Sequence, residues 1–437
     1  MSHAASRALA GPIVRTGARG RKGRRVFHGW RIVGVLAVTE TVSWGILYYA
    51  FAVFQVPMAA ELGFTSAELG GAFSVAVLLT GVASVPVGRW LDARGPRGLM
   101  TVGALVCAVL VVAWSRVHTV AGLYLVMAGI GLARACVLYE PAFAVVVRWF
   151  HVRRSAALLA VTVVAGFAST VALPTSSALI AALGWRDALL VLAVVLAVVT
   201  AGPHWLVLRT EPADLGLHPD GAATPPDRPA GTAEPQRPGL RATAAWAARQ
   251  PELRWYAAGF AAQATAVIIV AVHLVPFLLE QGHSAGFAAA ATGALGALSV
   301  SGRLVLTGMA RRRSAAAVTA AMFLVQGAGV VVLLLAGDSV LGAVAFVALF
   351  GLGFGAGTIA RPVLLASTHG VARYASLAGL MALLITLATT AGPLLAGLAR
   401  TAYGSYEPVL VAVLGLCAAG AASLRMAGRG AAGAQNP

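Results

Sequence analysis

The chain has 437 residues, of which 59% are hydrophobic and only 11% are charged, and its formal net charge is +17. Soluble globular proteins carry about 25% charged residues, so this composition argues against a soluble protein and indicates a chain embedded in a lipid bilayer. The positive charge does not indicate nucleic-acid binding, because the arginines fall in connections between apolar stretches and form no basic stripe on a soluble face.

The basic start, RTGARGRKGRR, resembles a secretory signal peptide. The apolar run that follows it is about 25 residues long, which is too long for the apolar region of a signal peptide. We therefore predict that residues 1–30 form a cytoplasmic tail that leads into a retained first helix.

A helix that crosses a bilayer needs about 20 mostly apolar residues. The sequence predicts an all-α membrane protein with twelve such spans, arranged as two bundles of six. Their approximate bounds are 31–56, 69–90, 98–115, 120–148, 155–182, 186–208, 254–279, 285–309, 315–336, 339–365, 371–399 and 404–425. The predicted bundles are then 31–208 and 254–425, with a second cytoplasmic tail at 426–437.

Residues 209–253 connect the two predicted bundles. The stretch EPADLGLHPDGAATPPDRPAGTAEPQRPG is rich in Pro, Gly and acidic residues and has no apolar periodicity, which is typical of a flexible linker. The following LRATAAWAARQPELRW has the pattern of a short amphipathic helix on the membrane surface, with Trp246 as its anchor.

The distribution of the loop arginines predicts how the chain is oriented in the membrane. Successive connections between spans lie on alternate sides of the membrane. One side holds nearly all the loop arginines, and the other side holds only Arg116, Arg186 and Arg400. Short loops rich in Lys and Arg remain in the cytoplasm. Both termini are therefore predicted to be cytoplasmic, in a multi-pass protein of the plasma membrane.

The two halves carry related residues at equivalent places. Arg89 follows a glycine near the end of span 2, and Arg303 follows one near the end of span 8. Glu140 precedes a proline in span 4, and Arg361 precedes one in span 10. Two repeats in the same orientation predict a site at the interface between the halves. We predict that Glu140 and Arg361, opposite in charge, approach each other across that interface and close the inner gate.

Ionisable residues near the middle of a span cost about 2.5–3.5 kcal/mol or more, so each is a candidate for function. Glu40 and Arg134 both fall near mid-depth, and we expect them to lie within reach of each other or of a shared substrate. A glutamate buried without a partner is also a candidate proton carrier. The alternative is a structural ion pair that never touches substrate.

Aromatic and histidine side chains offer further candidates for the cavity, namely Tyr48, Tyr49 and His273. A lone histidine on an apolar helix is more often a hydrogen-bonded packing residue than a ligand. The glycines at 351, 353, 355 and 357 follow no strand, so close helix packing explains them better than a phosphate-binding loop. Cys107, Cys136 and Cys417 stand at no metal-ligand spacing, so we expect no disulfide, metal or cofactor.

The loop GRWLDARGPRG between spans 2 and 3 identifies a family. It resembles the signature G-x-x-x-D-x-x-G-x-R of the major facilitator superfamily, with Gly88, Asp92, Gly95 and Arg97 at the signature positions. More narrowly, the chain resembles bacterial relatives of the monocarboxylate transporters. The supporting segments are HGWRIV, LYEPAFAVVVRWF, HVRRSAALLA, LGWRDALLVL and EPADLGLHPDG.

The resemblance implies two bundles that rock around a central site. In such a carrier Asp92, Arg94 and Arg97 would bond to helix ends and to the facing half in one state only. Arg303 aligns with the arginine that contacts the carboxylate of the substrate in the monocarboxylate carriers, and a guanidinium suits a carboxylate in bidentate fashion. An acid that those carriers place one turn earlier is Ser299 here.

The combined prediction is a monomeric secondary transporter that moves a small organic anion, coupled to protons or in exchange. Efflux of a drug-like or sugar-like compound is the alternative within the same fold. A membrane-embedded enzyme would need a cluster of nucleophile, base or metal ligands, which the sequence lacks. A sensor that retains the fold without transport is the third class.

Overall fold

A computed structural model describes residues 27–222, 240–310 and 312–433. In these ranges every regular element is a helix, and twelve helices are long and apolar enough to cross a membrane. In chain order these spans 1 to 12 are His28–Leu62, Glu68–Arg94, Pro96–Ser115, Val120–Trp149, Arg154–Leu183, Trp185–Val207, Pro251–Glu280, Gly286–Met309, Ala315–Ala336, Val340–His369, Tyr374–Tyr403 and Glu407–Gly428. The all-α prediction of six plus six spans is confirmed.

Local sequence explains where several spans begin. Thr65 and Glu68 form a capping box at the start of span 2, in which each side chain accepts from the other residue's backbone N–H. The serines at 284, 314 and 339 cap spans 8, 9 and 10 in a similar way. Small polar residues therefore mark the helix starts between the apolar runs.

Span 1 is longer than the predicted 31–56 and is not uniformly α-helical. It runs from His28 to Leu62 and contains one π-helical segment at Gly45–Tyr49. Such segments leave the regular hydrogen-bond ladder and are frequent at functional sites. This segment places Tyr48 and Tyr49 on span 1 and exposes a backbone carbonyl that another helix uses, as described below.

Because twelve is an even number, span 1 begins and span 12 ends on the same side of the membrane, here called the terminal face. The buried apolar side chains form three clusters. One includes residues of both halves, among them Leu91, Leu158, Leu364 and Leu377. The other two each belong to a single half, one within residues 46–201 and one within 266–417. The halves are thus packed together by the cluster that holds the residues near the terminal face.

The glycines of span 10 allow close helix packing. A Cβ atom on Gly355 would lie 1.6 Å from the Ser299 carbonyl oxygen, and one on Gly353 would lie 2.5 Å from the Gln326 Cβ. Glycine at these positions lets the backbones approach to distances that no other residue allows. These distances support close helix packing as the reason for the glycines of span 10.

The connection between the bundles, predicted to be a flexible linker, has regular structure at its start. Residues 211–222 contain two short 3₁₀ turns, Pro212–Leu215 and Pro219–Gly221. The Asp220 carboxylate accepts the backbone N–H groups of His151, Val152 and Arg153 at 2.8–3.0 Å. This segment is therefore attached to the connection between spans 4 and 5. Residues 223–239 lie outside the described ranges.

The predicted amphipathic helix is present as Leu240–Arg249. Its Trp246 packs edge-on against His369 at the end of span 10, and the guanidinium of Arg373 lies over its indole ring at 5.4 Å. The helix is therefore attached through Trp246 to the terminal face of the C-terminal half.

We predict that Gly355→Ala destabilises the protein by about 1–3 kcal/mol or more, since the added methyl group forces spans 8 and 10 apart. Gly415→Ala is the matched control, because a Cβ there meets nothing within 4 Å. Thermal unfolding in detergent measures both variants. Equal midpoints for the two variants would contradict the packing explanation.

Candidate functional site

Asp92 bridges the two halves near the terminal face. Its carboxylate accepts the backbone N–H of Ser376 at 2.8 Å and that of Ala375 at 3.3 Å, at the start of span 11. A helix N-terminus carries unpaired N–H groups and partial positive charge, so it suits a carboxylate. Arg148 of span 4 donates to the same carboxylate at 3.1 Å. Asp92 thus joins its own half to the facing one.

Deeper in the interface, Glu140 and Arg361 form an ion pair across the halves. The Arg361 Nη2 donates to Glu140 Oε1 at 2.8 Å, and both side chains are about one-fifth exposed. The pair joins span 4 to span 10. The two residues that occupy equivalent places in the two repeats therefore meet directly.

Arg303 of span 8 also reaches the N-terminal half. It is 6% exposed, and its Nη1 donates to the backbone carbonyl of Thr162 in span 5. Its Nη2 lies 3.4 Å from the Ser299 hydroxyl, and its Nε has no hydrogen-bond partner among the described residues. Within the described ranges no carboxylate pairs with this guanidinium, so it retains capacity to bind an anion.

Four aromatic rings of the N-terminal half form one cluster, and two of them, Tyr49 and Tyr139, lie near Arg303. The Trp44 ring lies 5.3 Å from Tyr48, 6.4 Å from Tyr49 and 5.0 Å from Tyr139, measured between centroids. Tyr49 and Tyr139 are close enough to Arg303 to interact with it electrostatically. The N-terminal side of the site is thus a partly buried aromatic wall with phenol hydroxyls.

Glu40 lies one turn before Trp44 and is fully buried. Neither of its carboxyl oxygens has a hydrogen-bond partner in the described part of the chain. The Trp44 indole faces it without reaching hydrogen-bond geometry, and Glu140 is near enough to interact with it electrostatically. The structure does not pair Glu40 with Arg134.

Arg134 occupies a different environment, inside the N-terminal half. Only 2% of it is exposed, its Nε donates to the Thr80 hydroxyl at 2.6 Å, and its Nη1 donates to the Leu47 carbonyl at 3.0 Å. Leu47 belongs to the π-helical segment of span 1. Arg134 therefore holds spans 1, 2 and 4 together and positions the segment that carries Tyr48 and Tyr49.

The two remaining arginines of the predicted latch contact residues of their own half. The Arg94 guanidinium lies 4.3 Å above the Trp90 ring. The Arg97 Nε donates to the Trp205 carbonyl at 2.7 Å, and its guanidinium lies 4.2 Å above the Trp205 ring. In this structure Asp92 crosses the interface, whereas Arg94 and Arg97 attach the loop to spans 2 and 6.

His273 lies within the C-terminal half. Its Nε2 is 3.1 Å from the Pro393 carbonyl oxygen of span 11, and its Nδ1 is 3.5 Å from the Tyr406 hydroxyl. Both ring nitrogens therefore have partners, which fits the packing alternative. The structure does not place His273 with the residues that cross the interface.

Sequence reasoning missed several contributors. Arg148 belongs to the arginine-rich end of span 4, where the sequence predicts only a role in orientation, but as the second-last residue of that span it donates to Asp92. Ser84 donates to the Gly379 carbonyl of the facing half at 2.7 Å. Thr162 contributes a backbone carbonyl. A backbone partner leaves no signal in a single sequence.

The described residues contain no group of three or more His, Cys, Asp or Glu side chains that could hold a metal ion. All three cysteines are free thiols. The site at the interface is thus composed of arginines, carboxyl groups and aromatic rings. This composition can bind a charged small molecule and exchange protons.

Two six-helix bundles with charged groups at their interface define a multi-pass membrane protein. The model of the Major Facilitator Superfamily matches residues 36–393. The chain therefore belongs to the Major Facilitator Superfamily.

Similarity to individual proteins is weaker. The chain is 28% identical over 163 residues to the Probable L-galactonate transporter of Escherichia coli (strain K12). That match covers 36% of this chain and about a third (34%) of the length of that relative.

Solved structures of the Escherichia coli fucose:proton symporter FucP share the fold. One has a TM-score of 0.67 at 14% identity, and another, in the outward conformation, has a TM-score of 0.69 at 13% identity. Each match covers 92% of this chain and 99% of the other.

We predict that Arg134→Leu destabilises the protein by about 1–3 kcal/mol for each group left without a donor, the Thr80 hydroxyl and the Leu47 carbonyl. Thermal unfolding in detergent without substrate measures the effect. Arg134→Lys keeps the charge but not both hydrogen bonds, so it should be intermediate. Unchanged unfolding of Arg134→Leu, with transport lost, would instead indicate a direct role in substrate binding.

Proposed function

We propose that the protein is a secondary active transporter that moves a small organic anion across the plasma membrane by alternating access, coupled to protons or in exchange. The observation that carries this proposal is Arg303. It is a buried guanidinium at the interface of the halves, with no acidic partner in the described chain and with one unpartnered N–H. A buried cation without a counter-ion favours an anionic ligand.

The tyrosines facing Arg303 support a small carboxylate with further polar groups. Tyr49 and Tyr139 bring phenol hydroxyls to the opposite side of the site. The name of the L-galactonate relative describes a sugar acid, which combines a carboxylate with hydroxyl groups. The fucose symporter with the same fold carries a neutral sugar. Transport of a sugar-like compound, or efflux of a drug-like one, is therefore the alternative.

We further propose that the terminal face is cytoplasmic and that residues 31–208 and 254–425 act as the two rocking units, joined by residues 209–253. The arginine-rich connections lie on the terminal face, as expected for cytoplasmic loops. Asp92 and the Glu140–Arg361 pair would then close the site toward the cytoplasm. This arrangement corresponds to one of the two states of an alternating-access cycle. The proposed transporting unit is a monomer, whose partners are the solute and the surrounding lipid.

Purified protein in liposomes should take up at least one of lactate, pyruvate and galactonate above protein-free liposomes. Arg303→Ala should reduce uptake at least tenfold, because the carboxylate loses its bidentate partner. Arg116→Ala, an exposed arginine on the opposite face, should transport normally. Export of a lipophilic dye, with no carboxylate moved, would favour the alternative. Full uptake by Arg303→Ala would remove this residue from the site.

Charge reversal tests the gate. Glu140→Arg and Arg361→Glu should each impair transport, because each places two like charges across the interface. The double variant restores opposite charges and should recover a substantial part of the uptake rate. If each single change impairs uptake and the double variant shows no recovery, the ion pair is not part of the gate.

A further inference from the structure

Arg134 is a second buried guanidinium without an acidic partner. It is 2% exposed, and none of the ion pairs within the described ranges includes it. Its Nε donates to the Thr80 hydroxyl and its Nη1 to the Leu47 carbonyl, whereas its Nη2 makes no hydrogen bond to a described residue. Neutral acceptors satisfy hydrogen bonds but do not cancel a charge, and a cation removed from water without a counter-ion is costly. The charge of Arg134 is therefore unbalanced in the described part of the chain.

The Arg134 side chain borders a small cavity inside the N-terminal half. The cavity lies between spans 1, 2, 3 and 4, and its described lining includes no residue of the C-terminal half. Its walls are apolar or aromatic, with Phe73 and Ala76 from span 2 and Trp114 from span 3 among them. Arg134 is the one charged side chain among the described residues that line it. The cavity is therefore separate from the interface that holds Arg303.

The size and polarity of the cavity restrict what can occupy it. It has room for a guest about as large as one water molecule. The Trp114 indole N–H already donates to the Met58 sulfur at 3.2 Å. A buried water usually makes about three hydrogen bonds, and these walls offer it few polar partners besides the guanidinium. An anion gains more in this place, because it accepts the free N–H groups of Arg134 and also balances the charge.

We propose that the cavity beside Arg134 binds a small monovalent anion, of which chloride is the abundant example. Chloride is only slightly larger than a water molecule, whereas a carboxylate, a phosphate or a sulfate is too large for this space. The site lies apart from the one proposed for the transported anion at Arg303. The inference goes beyond the proposed function and does not depend on which solute is moved.

The proposed anion site contacts the part of span 1 that carries two tyrosines of the interface. Ile46 and Leu47 of the π-helical segment border the cavity, and Tyr48 and Tyr49 follow them directly. The guanidinium carbon of Arg134 lies 5.7 Å from the centroid of the Tyr48 ring. An anion held by Arg134 therefore stabilises the segment that positions these tyrosines, although it does not touch the transported solute.

Thermal unfolding in detergent tests the site without any transport measurement. At constant ionic strength, chloride in place of gluconate should raise the wild-type midpoint saturably, by about 2 °C at about 0.15 M for a half-saturation of about 10 mM. Bromide should act like chloride, and sulfate should act like gluconate because it is too large. Arg134→Leu should lose the response to chloride. Arg303→Ala should keep the response, which distinguishes the cavity from the interface.

Ala76→Val is a second variant that leaves the guanidinium in place. Its added methyl groups fill the cavity, so its midpoint should be the same in chloride and in gluconate. This variant decides the question if Arg134→Leu does not fold. Crystals grown in bromide locate the anion independently of both variants, and an anomalous peak beside Arg134 is expected.

Three results would overturn the inference. The first is a wild-type midpoint that does not differ between chloride and gluconate, which indicates a cavity that is empty or holds water. The second is a response that survives in Ala76→Val or disappears in Arg303→Ala, which assigns the anion to another place. The third is a bromide peak found only outside the cavity. None of these results bears on whether the protein moves a carboxylate, so the proposed function is tested separately.

Discussion

The structure depends on one constraint, which is that a charged side chain inside a membrane protein must find a partner without help from water. In this protein three such partners lie in the facing half. Asp92 uses backbone N–H groups of span 11, Arg361 uses Glu140, and Arg303 uses a carbonyl of span 5. These three side chains therefore also hold the two bundles together, whereas Arg134 finds its partners within its own half.

These contacts are distributed unevenly across the membrane. The contacts between halves lie toward the terminal face, together with the apolar cluster that includes both bundles. Near the opposite face, the described ion pairs Glu61–Arg186 and Glu280–Arg400 each remain within one half. Both glutamates lie at the end of the first span of their half, but their partners differ in position, because Arg186 is near the start of span 6 and Arg400 is near the end of span 11. In this structure the described contacts therefore join the halves near the terminal face, and the described ion pairs of the opposite face do not join them.

Much of the fold could be predicted because a bilayer imposes helix length and apolar composition directly on the sequence. The Glu140 and Arg361 positions could be related because both precede a proline in equivalent spans. The partners of Arg134 could not be predicted, since the Leu47 carbonyl becomes available only where span 1 turns π-helical. The folded start of the linker was missed for a similar reason. This segment is held in place because three backbone N–H groups of the connection between spans 4 and 5 donate to the Asp220 carboxylate.

The contacts between the halves differ in whether the partner is a backbone group or a side chain, and this difference decides which substitutions can remove them. Three of the cross-half contacts, those of Asp92, Arg303 and Ser84, end on backbone groups. No substitution in the facing half removes a backbone carbonyl, and only proline removes a backbone N–H, so these contacts depend mainly on the side chain that makes them. Glu140–Arg361 joins two side chains and sits beside Glu40. It is therefore the contact between the halves that a substitution in either half can remove.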